Sequence, residues 1–174
     1  MNAVDSGTKF NLQTRLAGSR SLEEFDEFFR ELKDRVGGQI REVFERERRR
    51  PPGERRLVTF VSDGLGQYRR AFNRHFYRMA RLVQGVPIAC RQYGLRFNNN
   101  PIERHNQDIK QRYKTMRHFK SLASAEAFLD LRRMVYNYVR THQGLGRTPA
   151  EAAGIRLDLG KNRLLGLIRL SSGA

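Results

Sequence analysis

An α/β layered domain with a mixed sheet is the fold class this sequence predicts, and three observations predict it. A short continuous apolar run, Leu57-Val58-Thr59-Phe60-Val61, is bounded by turn residues and reads as a strand buried on both faces. Apolar residues at helical spacing lie on either side of it, Leu22 to Val36 before and Tyr68 to Phe76 after. The order along the chain is strand, helix, buried strand, helix, weak strand, helix, helix, and that alternation belongs to layered α/β domains.

Taken in order, Lys9 to Leu16 alternates, with Phe10, Leu12 and Leu16 on one face, the pattern of a half-buried strand. Asp5-Ser6-Gly7 reads as a tight turn before it, so Ala3-Val4 is the end of a preceding strand and the domain opens on half a hairpin. Ser21-Leu22-Glu23-Glu24 is a capping box. The helix behind it carries Leu22, Phe25, Phe28, Phe29, Leu32 and Val36 on one stripe. Gly37-Gly38 is expected to interrupt it, with a second, charge-dense helix over Gln39 to Arg50 stopped by Pro51-Pro52-Gly53.

The apolar strand ends at Ser62-Asp63-Gly64, and Tyr68, Ala71, Phe72, His75 and Phe76 then form one helical face. A short strand follows around Ala80 to Val86. Asn98-Asn99-Asn100-Pro101 starts a helix, with Asn100 as cap and Pro101 at the first helical position, running to about Met116. Ser121 to Tyr138 forms another, with Leu122, Ala125, Phe128, Leu129, Arg132 and Val135 along one side. Thr148-Pro149-Ala150-Glu151 opens a short helical turn, and residues 156–174 read as an unpatterned tail to a domain of residues 1–155. There is no internal repeat.

The 174 residues suit one domain, since domains commonly run to roughly 100–200 residues. Thirty-four Lys and Arg against 18 Asp and Glu give a formal charge of +16, the footprint of a polyanion binder or, more blandly, of a merely basic protein. A single cysteine, Cys90, excludes an internal disulfide and a zinc site built on a cysteine pair, and fits a reducing compartment. No stretch approaches the roughly 20 apolar residues of a membrane span, and Met1 to Phe10 lacks the features of a signal peptide. A cytoplasmic, nucleoid-associated protein without membrane contact is the expectation.

Asp63 is the first residue with chemical potential. It leaves the carboxyl end of a buried strand, where α/β sheets place their sites, and it is equally suited to a simple turn. Glu103 is the second, at the third helical position, where capping alone would explain it. Its surroundings add to that reading. Eight Lys or Arg and only two acids lie between Arg91 and Lys120. Gln107, Lys110 and Lys114 share a helical face with Glu103, like a metal ligand beside a phosphate track. Two carboxylates converging on Mg²⁺ can serve phosphodiester chemistry, and lysines nearby can hold the backbone. His75, His105, His118 and His142 show no metal-ligand spacing, and His105 reads as a surface or DNA-facing residue.

These segments are familiar together. Thr59-Phe60-Val61-Ser62-Asp63-Gly64-Leu65-Gly66-Gln67-Tyr68 resembles the second-aspartate strand of bacterial and archaeal insertion-sequence transposases of the DDE type. Asn98-Asn99-Asn100-Pro101-Ile102-Glu103-Arg104-His105-Asn106, with Ile109-Lys110, resembles their third-carboxylate helix, and Met116-Arg117-His118-Phe119-Lys120-Ser121 the loop after it. Tyr136-Asn137-Tyr138-Val139-Arg140-Thr141-His142-Gln143-Gly144-Leu145, ending at Thr148-Pro149-Ala150-Glu151-Ala152, is similar to the end of an integrase core.

The resemblance implies a ribonuclease-H-like mixed sheet flanked by helices and missing its first strand. It implies a D–D–E triad holding two Mg²⁺ ions, of which Asp63 matches the second acid and Glu103 the third. Lys110 matches a contact to element-end DNA, and Arg104, Lys114 and Arg117 are further candidate DNA contacts. Asp5 matches a hairpin-turn acid rather than the first ligand. The step of 40 residues from Asp63 to Glu103 implies an extended loop near Cys90, and the arginine-rich residues 41–56 an insertion or an elongated helix.

The resulting expectation is a partial transposase core that binds element-end and target DNA and is inactive in strand transfer alone, since the first Asp is unmatched. The alternative is a non-catalytic DNA-binding remnant that modulates full-length transposase in mixed oligomers. A homo-oligomer is also open. A general RNA-binding protein lacks the aromatic stacking motif it would need.

Overall fold

The computed structural model describes residues 1–85, 100–115, 119 and 121–173. Cys90, Arg117, His118 and the expected strand end at Val86 lie outside them. The chain divides into two compact units, Ala17–His105 with Met1, and Asn2–Leu16 with Asn106–Ala174.

In the first unit, helix α1 (Leu22–Glu47) is one continuous element of 26 residues. Gly37-Gly38 does not break it, although two mid-helix glycines cost about 2 kcal/mol relative to alanine. Burial beyond the pair holds the helix together, with Ile40 and Glu47 enclosed, as do ion pairs such as Arg48–Glu45 at 2.9 Å. At its start only half of the expected capping box forms. Ser21 Oγ accepts the Glu24 N–H at 3.4 Å, while the Glu24 carboxylate accepts Gly18 N–H and Ser21 N–H donates to Ser19 Oγ.

A 3₁₀ turn (Pro52–Glu54) leads to β3 (Thr59–Ser62), then α2 (Gly66–Phe76) and β4 (Arg81–Gln84). Strands β3 and β4 pair in parallel, Thr59 opposite Arg81 through Ser62 opposite Gln84. All four β3 residues are half-buried rather than enclosed on both faces as expected. One edge meets β4, and among the described residues no further strand pairs with the other.

The core of this unit is aromatic. Phe29 of α1 lies 6.0 to 6.3 Å, centre to centre, from Phe60, Tyr68, Phe72 and Phe76. Most of these contacts are edge-on, the geometry that ring quadrupoles favour. Phe25, Phe28, Phe29 and Leu32, at helical spacing, are each at most 3% exposed and pack α1 onto α2. At the rim of this packing, Asp26 accepts from His75 Nε2 at 3.1 Å and pairs with Arg74 at 3.3 Å.

In the second unit β1 (Asn2–Val4) and β2 (Asn11–Thr14) form an antiparallel hairpin with a bulge at Ala3/Val4. The buried face of β2 is the reverse of the expected one. Asn11 and Gln13 are 1% exposed, while Phe10, Leu12 and Leu16 are half-buried. Asn137 meets the edge of this strand. Helix α4 (Leu122–Met134) runs into a π-helical turn (Val135–Val139), which holds the 2%-exposed Asn137 against β2. Its Oδ1 accepts Asn11 N–H at 2.8 Å and its Nδ2 donates to Asn11 O at 2.9 Å. One side-chain amide thus does for the β2 edge what a neighbouring strand would do. A polar chain extends from Asn11 through Thr14 and Asn2 to Asn106.

Helix α3 (Asn100–Thr115) spans the two units in sequence. The Thr148–Glu151 box caps the short α5 (Pro149–Ala152) with bonds of 2.8 and 3.2 Å. The tail is not unpatterned: α6 (Arg163–Ser172) is capped by Asn162 and buries Leu167. Its stripe was hard to read because Leu164, Leu165, Ile168 and Leu170 are all exposed. Among the described residues no helix is long and apolar enough to cross a membrane.

Removing the Asn137 amide takes away both of these bonds at the enclosed edge of β2. Asn137→Ala should therefore cost about 2–4 kcal/mol in urea unfolding. A loss within about 0.5 kcal/mol, the range of an ordinary surface change, would show that the pairing contributes little.

Glu47 generates a pH dependence. Its carboxylate accepts Arg56 N–H at 3.0 Å, and this bond, with Arg50, Arg46 and Arg56 nearby, holds its pKa below the ordinary carboxyl value. A depressed folded pKa contributes stability that is present above the unfolded value, about 4.3, and lost as pH falls through the folded one. Glu47→Gln should destabilise the chain at neutral pH, with the deficit narrowing below about pH 4. Urea melts at the two pH values check this, and a deficit independent of pH would contradict it.

Candidate metal and nucleic-acid site

Asp63 follows β3, where the aromatic cluster anchors the strand through Phe60. It is exposed. Its Oδ1 accepts Leu65 N–H at 3.2 Å, an Asx-type turn that delivers the chain into α2. Gln84 Nε2 donates to Leu65 O at 2.6 Å, and Gly85 N–H reaches Ser62 O and Asp63 O at 3.1 and 3.2 Å. The turn is thus held from the end of β4. The α2 N-terminus, which has no side-chain cap, lies just beyond and favours a negative charge there. Tyr68, tilted against Phe25 with ring centres 4.6 Å apart, has its phenol pushed up to about 12, first by burial and then by the Asp63 charge.

Glu103 stands in the first turn of α3 and is exposed, in the same compact unit as Asp63. No ion pair or hydrogen bond joins the two acids. Gln107, Lys110 and Lys114 are exposed with it, so the column expected from spacing faces solvent. Lys110 sits seven residues on, about 10 Å along the axis by the helical rise. Arg104 is exposed beside this column, and Arg117 lies outside the described residues.

The opposite side of α3 packs inward. His105 is 5% exposed, so it is a buried residue and not the surface or DNA-facing one expected from its offset to Glu103. Asn106 accepts from Asn2 at 2.9 Å. Asp108 pairs with Arg132 and, at 3.0 Å, with Arg140. These two arginines tie α3 to α4 and the π-helical turn, and so fix which side of α3 points outward. Neither was expected to matter, and Arg132 was read only as part of an apolar stripe. The available signal was a charged residue at an inward position, with one of the two acids of the basic segment to receive it.

Asp5 sits in the β1–β2 turn. Its Oδ1 accepts Gly7 N–H at 3.2 Å and both the N–H and the hydroxyl of Thr8 at 2.6 Å. Among the described residues no group of three or more His, Cys, Asp or Glu side chains is arranged to hold a metal ion. Asp63 and Glu103 are hard oxygen donors that make no ion pair among the described residues, a donor type that fits Mg²⁺.

Residues 84–149 match the family model of the integrase core domain. The match includes Glu103, Lys110, Asp108 and Asn137, and ends short of Asp63. It supports an integrase or transposase type of core, whose general function is DNA recombination. No curated protein and no solved structure matches the chain significantly.

Asp108→Ala should cost about 1–3 kcal/mol, because Arg132, 18% exposed at its side chain, loses its partner. The isosteric Asp108→Asn should recover part of that loss. Equal stability of the alanine variant and the wild type in urea melts would show that the pair does not hold α3.

Proposed function

We propose that this chain is the catalytic-core part of a DDE-type insertion-sequence transposase and acts on DNA in the nucleoid. The single observation that carries the reading is the exposed column of Glu103, Gln107, Lys110 and Lys114 on α3, inside the stretch that matches the integrase core. Lys110 and Lys114, with Arg104 beside them, hold phosphates of element-end or target DNA, since side chains of this kind position a duplex without reading it.

Asp63 and Glu103 are the residues that would hold Mg²⁺. The ion would supply activation of a water or 3′-hydroxyl and stabilisation of the leaving oxygen. The positive ends of α2 and α3 would ease the repulsion between two carboxylates brought to one ion. The family triad has three acids, and these 174 residues match two. Asp5, with its Oδ1 taken up inside the hairpin turn, supports a reading in which it is no substitute. The chain by itself therefore binds DNA and performs no strand transfer. This favours a second reading as well, a DNA-binding partner that modulates full-length transposase in mixed oligomers.

Binding to unrelated duplexes should be similar in strength and fall steeply with salt. Lys110→Gln with Lys114→Gln should lower the slope of log K against log salt by about 1.8, or 0.9 per phosphate contact. Incubation with element-end DNA and Mg²⁺ or Mn²⁺ should give no joined product. Salt-insensitive binding would refute the DNA reading. Strand transfer lost on Asp5→Asn would refute the role given to Asp5.

A further inference from the structure

The end of α1 and the turn after it carry a feature that α3 does not explain. Residues 41–56 hold seven arginines and four glutamates, and the structure sorts them into two kinds. Some are engaged internally. Arg55 turns its guanidinium back on the helix, Nε donating to Arg50 O at 2.9 Å and Nη2 to Arg48 O at 3.0 Å. It thereby satisfies carbonyls that a helix end leaves open. Glu47, 5% exposed, accepts Arg56 N–H and pairs with Arg50 at 3.3 Å. Arg48 pairs with Glu45. The loop from Glu47 to Arg56 is thus closed by its own side chains, with Pro51 and Pro52 stiffening its middle.

The others face outward. Arg46, 73% exposed at its side chain, approaches Glu47 only to 4.0 Å. Arg49 and Arg56 are exposed. Glu47 gathers these groups. Its carboxylate bonds the Arg56 backbone, lies against Arg50 and is neighboured by Arg46. One buried negative charge is thus surrounded by three positive ones, and the excess points to solvent on a backbone that is already ordered. A solvated charge run on a helix face would show no such inward ties. Planar guanidinium forks on a preorganised loop suit phosphate oxygens better than they suit point contacts to carboxylates of a passing protein.

We propose that this arginine knuckle, Arg46 and Arg56 beside Glu47 with the exposed Arg49 between them in sequence, is a second contact to the phosphodiester backbone of duplex DNA, on a different element from α3. The inference rests on the DNA-binding reading above and extends it. The knuckle reads no bases, and it adds contacts whose counterions are released on binding.

The test uses the full chain carrying Arg46→Gln, Arg49→Gln and Arg56→Gln together, beside the Lys110→Gln/Lys114→Gln variant. Affinity for two unrelated duplexes is measured by anisotropy across a salt series. The knuckle variant should stay folded under the binding conditions, with a small loss in urea melts because Arg46 and Arg56 neighbour the Glu47 carboxylate. Its slope of log K against log salt should fall by about 2.7, or 0.9 for each of three contacts, equally on both duplexes. An unchanged slope, with the wild type binding and the α3 variant impaired, would overturn the knuckle and leave the DNA reading intact. A wild type that binds no duplex would overturn both. Stronger binding to a single-stranded RNA of equal length, with the knuckle variant impaired only there, would overturn the assignment of duplex DNA as its partner.

Discussion

The position of Asp63 depends on the packing of one ring, Phe29, against Phe60, Phe72 and Phe76. Two parallel strands of four residues do not make a sheet that stands in water. Strand β3 persists because Phe60 projects from it into a cluster supplied by two helices, with rings 5.1 Å from Phe76 and 5.3 Å from Phe72. Burying each of these side chains contributes about 1.5–3 kcal/mol, more than the few backbone bonds between β3 and β4 can supply net. Once β3 is held, its carboxyl end is held, and the turn through Asp63 into α2 follows from local hydrogen bonds alone. The exposed carboxylate thus takes its position from the core beneath the strand, with Oδ1 engaged by Leu65 N–H.

The second unit solves the same problem with polar groups. Strand β2 has β1 on one edge and the Asn137 amide on the other, and its enclosed residues are amides rather than hydrocarbons. The orientation of α3 depends on a carboxylate and two arginines in place of an apolar stripe. Polar packing of this kind has a sharper penalty for error, because each unpaired buried group costs about 1–3 kcal/mol. It also sets direction. Asp108 and Asn106 face inward, while Lys110 and Lys114 face outward.

What could be read from the sequence follows the same division. The aromatic stripe of α1, the face of α2, the weak strand at β4 and the helical start at Thr148 obey hydrophobic period or local capping, and all were legible. Gly37-Gly38 misled because local propensity was outweighed by tertiary burial at Ile40 and Glu47. The face of β2 misled because alternation identifies the apolar side, and here the apolar side is not the enclosed one. Asn137 carried a faint signal, a single amide within Val135-Tyr136-Asn137-Tyr138-Val139, yet nothing local says that its partner is the backbone of a residue 126 positions away. Around the candidate site, the turn at Asp63 and the exposed side of α3 were legible from turn residues and helical offsets. The arginine pairs behind α3 and the inward cap by Arg55 were not, since both depend on which charges the fold brings together.

The proposed sharing of a divalent ion by Asp63 and Glu103 is open to direct mapping. Fe²⁺ introduced in place of Mg²⁺, with ascorbate and peroxide, generates hydroxyl radicals that cut the polypeptide beside the bound ion. Fragment mass spectrometry should locate cuts both in the turn after β3, around Ser62 to Leu65, and in the first turn of α3, around Pro101 to Arg104. Both sets should vanish together in Asp63→Asn and in Glu103→Gln. Cuts at only one of the two places, or cuts at one that survive loss of the other acid, would contradict a shared site.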